Sequence, residues 1–170
     1  PAMASDVRDY APGVIARGNA PDHLRIAMAE HMLLCGRLDE VTALVADIPD
    51  AEGAAYRSAV QLLRGDDDAA VAAFADALKA LRRQTGKRKA VFPGMPGILY
   101  TMALLKSGTP AHADLAGACI ITFTNALKKT RDAPAYEQLH YLHGVRAGTT
   151  STEVFAASHW PSPLQAFLVR

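Results

Sequence analysis

The sequence predicts an all-α fold, and three observations predict it. Of 170 residues, 33 are alanine and 18 leucine, against 11 aromatics, a mixture of strong helix formers poor in strand-favouring residues. Apolar residues recur at helical spacing, and no segment offers a convincing run of alternation. Breaks in that periodicity coincide with Gly36, Gly65, Gly86 and the Pro93–Pro96 stretch, the residues that end helices. Hydrophobic residues make up 50% of the chain and charged residues 21%. That is enough for one buried core and too apolar for a disordered polymer.

The elements follow in order. Residues 1–20 hold Pro12-Gly13 and Gly18-Asn19 and read as an irregular lead-in. Pro1-Ala2-Met3-Ala4-Ser5 resembles a vector scar before a start and is set aside. Residues 21–170 read as a single helical domain. Pro21-Asp22 opens a first helix to about Cys35, with Leu24, Met28, His31, Met32 and Cys35 near one face. Gly36 breaks it, and a second helix runs from Leu38 to Asp47, stopped by Pro49. A third spans Ala51 to Arg64, with Tyr56, Ala59, Val60 and Leu63 as its inward stripe. After Gly65, Asp66-Asp67-Asp68 places three acids where a helix dipole favours them. The fourth helix, Ala69 to Gln84, carries Val71, Phe74, Leu78 and Leu81 on one stripe. A fifth is expected from Gly97 to Lys106, and a sixth after Ser107-Gly108-Thr109-Pro110 to about Lys129. Pro134–Arg146, Thr152–Ser158 and a start at Ser162-Pro163 complete a set of about eight helices. The last one begins well and stops after two turns, as expected of a fragment of a longer protein.

A weak internal repeat runs through this pattern. Leu33-Leu34-Cys35-Gly36 and Leu62-Leu63-Arg64-Gly65 match at an offset of 29 residues, and Leu104-Leu105-Lys106-Ser107-Gly108 echoes them 43 residues after Gly65. Gly65, Ala70, Phe74, Ala77 and Leu78 resemble the second half of a tetratricopeptide unit, with small residues where helices cross. The expectation is a tetratricopeptide-like array of antiparallel helix pairs, each burying its neighbour's apolar face. Neither offset equals the tetratricopeptide period of about 34 residues. An irregular α-bundle with coincidental turns is the alternative.

Charge is distributed unevenly. Residues 1–85 hold 13 acids and 9 bases, whereas residues 86–170 hold 4 acids and 9 bases. From Ala77 to Ala113 there is no acid, while Lys79, Arg82, Arg83, Lys87, Arg88, Lys89 and Lys106 supply seven bases. Lys79, Arg82 and Arg83 share a face at i, i+3 and i+4, and Lys87-Arg88-Lys89 continues them beyond Gly86. These six residues are the candidate binding set for an anionic partner: nucleic acid, an acidic protein or another domain of the same protein. The plainer reading is a solvated helix end whose bases complement the dipole.

Residues 62–108 carry a more particular likeness. Leu81-Arg82-Arg83-Gln84-Thr85-Gly86-Lys87-Arg88-Lys89, then Val91-Phe92-Pro93-Gly94, Gly97-Ile98-Leu99-Tyr100 and Ala103-Leu104-Leu105, resembles a segment of very large bacterial SNF2-type DEAD/DEAH-box helicases. The resemblance implies an accessory helical region preceding a motor, in the cytoplasm of a bacterium. It does not extend to catalytic motifs, because the chain holds no GxxxxGK[ST] phosphate loop and no DEAD or DEAH box.

Catalytic groupings are sparse. Glu137, His140 and His143 lie at i, i+3 and i+6, but i to i+6 turns about 240° around a helix, so one zinc ion cannot face all three without His112 or His159. Cys35 and Cys119 have no CxxC partner and read as small hydrophobes in a reducing compartment. No GxSxG occurs, and no apolar run reaches the ~20 residues of a membrane span. The sequence therefore predicts a non-catalytic domain without cofactor or membrane, which binds a protein partner or a neighbouring domain. A nucleic-acid-binding accessory domain is the alternative, and an enzyme comes third.

Overall fold

The computed structural model describes residues 20–130, together with the isolated positions 13, 144, 146, 147, 166 and 167. Among the described residues there are six helices and no strand: α1 (Asp22–Leu34), α2 (Leu38–Val45), α3 (Ala51–Arg64), α4 (Asp67–Thr85), α5 (Gly94–Lys106) and α6 (Pro110–Thr130). The helices expected from Pro134 onward lie outside the described residues.

Short connections fold successive helices back on one another. α1 packs on α2, α3 on α4, and α5 on α6, giving three consecutive hairpins. The leucine-pair glycines sit at equivalent places in them. Gly36 and Gly65 both take left-handed φ, 72° and 102°, immediately after the first helix of a pair. At Gly36 the amides of Gly36 and Arg37 donate to Leu33 and Met32 carbonyls. At Gly65 the amides of Gly65 and Asp66 donate to Leu62 and Gln61 carbonyls in the same pattern. Both satisfy helix-end carbonyls as in a Schellman motif, which needs a residue without Cβ strain at the turn. Gly108, φ 67°, follows the first helix of the third pair.

Two helices lie at the centre. α3 contacts α1, α2, α4 and α5, and the expected stripe of Tyr56, Ala59, Val60 and Leu63 is buried together with Ala55, Ser58 and Leu62. The Asp50 side chain caps its first turn, accepting from the Gly53 amide at 2.8 Å. In α5 every residue from Met95 to Leu104 is buried, as expected of a helix apolar on all sides. Phe74 of α4 joins these layers. Its ring stacks on Tyr100 of α5 at 5.0 Å and lies 6.3 Å from Phe92.

Three local expectations change. α5 starts at Gly94, not Gly97, because first-turn amides have no intrahelical partner and Pro96 therefore forfeits nothing there. On α1 the buried face is Met28, Ala29, Met32 and Leu33, whereas Leu24 is 44% exposed. Leu81, expected inside with Phe74 and Leu78, is only partly buried, because α4 is running off the core at that point.

Phe74 is fully enclosed, so Phe74→Ala should lower unfolding free energy by about 3–5 kcal/mol. Denaturant titration of the variant measures it, and a loss below about 1 kcal/mol would contradict a closed core at this residue.

Candidate interaction site

Between α4 and α5 the chain makes an eight-residue connection, 86–93, and both of its ends are fixed. At the start, Gly86 ends α4 with φ 65°, and the Arg82 Nε–H donates to the Ala90 carbonyl at 3.2 Å. Phe92, 2% exposed, plugs the loop into the core beside Phe74. Its end is held from α1. The Glu30 carboxylate accepts the Met95 amide at 2.9 Å and the Tyr56 hydroxyl at 2.8 Å. It thereby caps the N-terminus of α5, where a negative charge meets the positive end of the dipole. Gly94 adopts φ +65° against this carboxylate, and a Cβ there would lie 2.8 Å from Glu30 Oε1.

Burial pushes the Glu30 carboxyl above its ordinary value, and the bonds from Tyr56 and Met95 offset part of that rise. Burial, together with the neighbouring Glu30 charge, raises the Tyr56 hydroxyl in turn. Beyond the loop, burial pushes Tyr100 up to about 12 and also raises the Cys119 thiol. Cys119 is thus a buried thiol held in its neutral form, consistent with its reading as a small hydrophobe.

This scaffold presents the basic residues, and the six occupy three kinds of position. Lys79 is exposed and pairs with Asp76 at 2.8 Å, an acid one residue outside the acid-free stretch. Arg82 is half-buried and braces the loop. Arg83, Lys87, Arg88 and Lys89 are exposed, and no acid among the described residues pairs with them. The structure therefore separates one paired base and one bracing base from four that face solvent.

Below the loop is a hollow. A cavity of about 670 Å³ is bounded by Leu81 and Thr85 of α4, by residues 87–93 of the loop, and by Thr122 and Phe123 of α6. Its walls are largely apolar, with Lys87, Arg88 and Lys89 around them. A second cavity of about 240 Å³, bounded by Arg82, Arg88, Lys89, Cys119, Ile121 and Thr122 among others, lies on the α6 side of the loop. The sequence reading found the bases but missed the hollow, since Phe123 and Val91 reach it from stretches 32 positions apart. It also missed Glu30, although an acid between Met28-Ala29 and Met32-Leu33 on a helix is a visible signal of a partnered buried charge.

Of the residues weighed for metal binding, Glu137, His140, His143 and His159 lie outside the described residues. His112 Nδ1 is 2.6 Å from Ser107 Oγ. Asp67 and Asp68 occupy the first turn of α4, as helix-start chemistry requires. Comparison of the chain with protein-family models, curated proteins and solved structures gave no match.

The raised Glu30 pKa has a signed consequence. The fold favours the protonated form, so this group's contribution is complete below the unfolded carboxylate value and is lost as pH rises through the folded one. Glu30→Gln keeps an acceptor and removes the titration. The melting temperature of the parent should fall relative to Glu30→Gln as pH rises from about 4 towards 7. A gap that stays constant across that range would refute the burial argument. Glu30→Ala, which leaves the Met95 amide and Tyr56 hydroxyl without their acceptor, should cost about 1–3 kcal/mol at neutral pH.

Proposed function

We propose that the chain is a non-catalytic helical-hairpin interaction module, an accessory region that holds an anionic partner through its basic loop. One observation carries the reading: Arg83, Lys87, Arg88 and Lys89 are exposed without an acidic partner among the described residues, on a loop braced by Arg82, Phe92 and the Glu30-capped start of α5. A solvated helix end needs no such bracing. A loop that must present charge in one geometry does, because a preorganised surface loses less entropy on binding.

The three glycine-ended hairpins favour a tetratricopeptide-like array, while spacings of 29 and 43 residues make it irregular. The resemblance of residues 62–108 to the helical region of large SNF2-type helicases makes a neighbouring domain or an associated protein the first choice of partner, in a cytoplasmic setting. The second reading is nucleic-acid phosphate, favoured by the same four unpaired bases.

Fluorescence anisotropy with polyglutamate, a 20-nucleotide single strand and a 20-base-pair duplex separates the two. The module reading expects polyglutamate to bind at about 50 mM salt with affinity falling as salt rises, and both DNA probes to bind no better. The triple variant Lys87→Ala, Arg88→Ala, Lys89→Ala should lose that binding, with stability changed by no more than about 0.5 kcal/mol per position. Under the nucleic-acid reading, DNA binds preferentially and the variant lowers its salt slope by about 0.7–0.9 per lost phosphate contact. Binding of no anionic probe would end both readings.

A further inference from the structure

The hollow beneath the loop narrows the identity of the partner. Phosphate backbones are held by bases on an open surface, and a charged phosphate gains nothing from an apolar floor. Here the bases stand around an open, largely apolar groove of about 670 Å³, roomy enough for an apolar side chain of a partner. Phe92 faces the core, in contact with Phe74 and 2% exposed, so it offers no free ring for base stacking. The α6 wall adds Ile121, 59% exposed at the second cavity, a large aliphatic side chain beside Arg82, Arg88 and Lys89.

We propose that the groove between the 86–93 loop and α6 receives a short peptide segment of a protein partner, one carrying an aliphatic or aromatic anchor flanked by acidic side chains. This rests on the interaction-module reading and specifies its partner. The anchor enters the cavity bounded by Leu81, Val91, Phe92 and Phe123, and the flanking carboxylates meet Lys87, Arg88 and Lys89 at its rim. Charge complementarity selects the occupant, because the loop contributes bases only and, among the described residues, no acid borders either cavity. The apolar anchor supplies most of the affinity and the charges supply rate and orientation.

The test uses the whole chain and three labelled peptides of equal length: an acidic amphipathic peptide with leucine and phenylalanine anchors, the same peptide with every anchor changed to serine and its charge unchanged, and polyglutamate, which carries more charge than either. The anchored peptide should bind at least tenfold more tightly than the other two. Val91→Asp, which places a charge in the cavity wall, and Thr122→Trp, which fills it from α6, should each remove that tenfold advantage. Circular dichroism melting confirms that each variant is folded, and either one suffices. Equal binding of anchored and serine peptides, or an advantage that survives a folded cavity variant, overturns the groove proposal while leaving the basic-loop reading intact. Tighter binding of a DNA duplex than of any peptide overturns it in favour of nucleic acid. A dimer at working concentration that occupies the groove, dissociated by Val91→Asp, overturns it in favour of a second copy. Absence of binding to every probe fails the module reading itself.

Discussion

The capping of α5 by a carboxylate from α1 is the contact on which the arrangement of the three hairpins depends. Each hairpin is held locally by its turn and by apolar packing between neighbours. Glu30 and Met95 instead meet across 65 residues and bring the first hairpin to the start of the third. Tyr56 of the second hairpin closes the same group, so one carboxylate is shared by all three. The contact also explains how a helix can start inside the Pro93–Pro96 stretch, at Gly94, although that stretch reads as a linker. A helix start needs acceptors for its amides, and here the acceptor comes from another helix.

A buried carboxylate is an expensive way to tie helices together unless it is fully bonded. Glu30 meets that condition through two donors, and what remains is the raised pKa that marks its residual desolvation. Apolar packing is non-directional, whereas a single acceptor that bonds both the Tyr56 hydroxyl and the Met95 amide adds a directional requirement between the hairpins. Specificity of register is the role such buried polar groups are best known to play.

Much of the fold was legible in the sequence because it is local. Gly36 and Gly65 end helices by a turn chemistry that neighbours along the chain determine, and the stripe on α3 follows from helical spacing alone. What was not legible depends on distant partners. The start of α5 was placed late because Glu30 is far away in sequence. The inward face of α1 is shifted from the one the periodicity indicates: Met28 and Met32 are buried as expected, but Ala29 and Leu33 join them in place of Leu24, which stays 44% exposed. The six bases were visible as a cluster, yet their roles were not. Asp76 neutralises Lys79 from just outside the acid-free stretch, and Arg82 turns inward to a loop carbonyl. The hollow beside them is bounded by α4, the 86–93 loop and α6, stretches far apart along the chain, which no local pattern brings together.

The lengths of the hairpin elements also bear on how such a chain can change. α2 has 8 residues and α4 has 19, while the connection after α4 is eight residues against five after α2. The second helices of the hairpins thus lengthen along the chain, to 21 residues in α6, and the last turn of α4 with the loop after it carries the four exposed bases. Hairpin geometry is maintained by α1, α3 and α5 with their glycine turns, none of which uses the segment from Arg83 to Lys89. That segment is a cassette. Its charge can change between the fixed points of Arg82 and Phe92 without touching the contacts that pack the hairpins together, so surface charge and hairpin packing are written on separate parts of the chain.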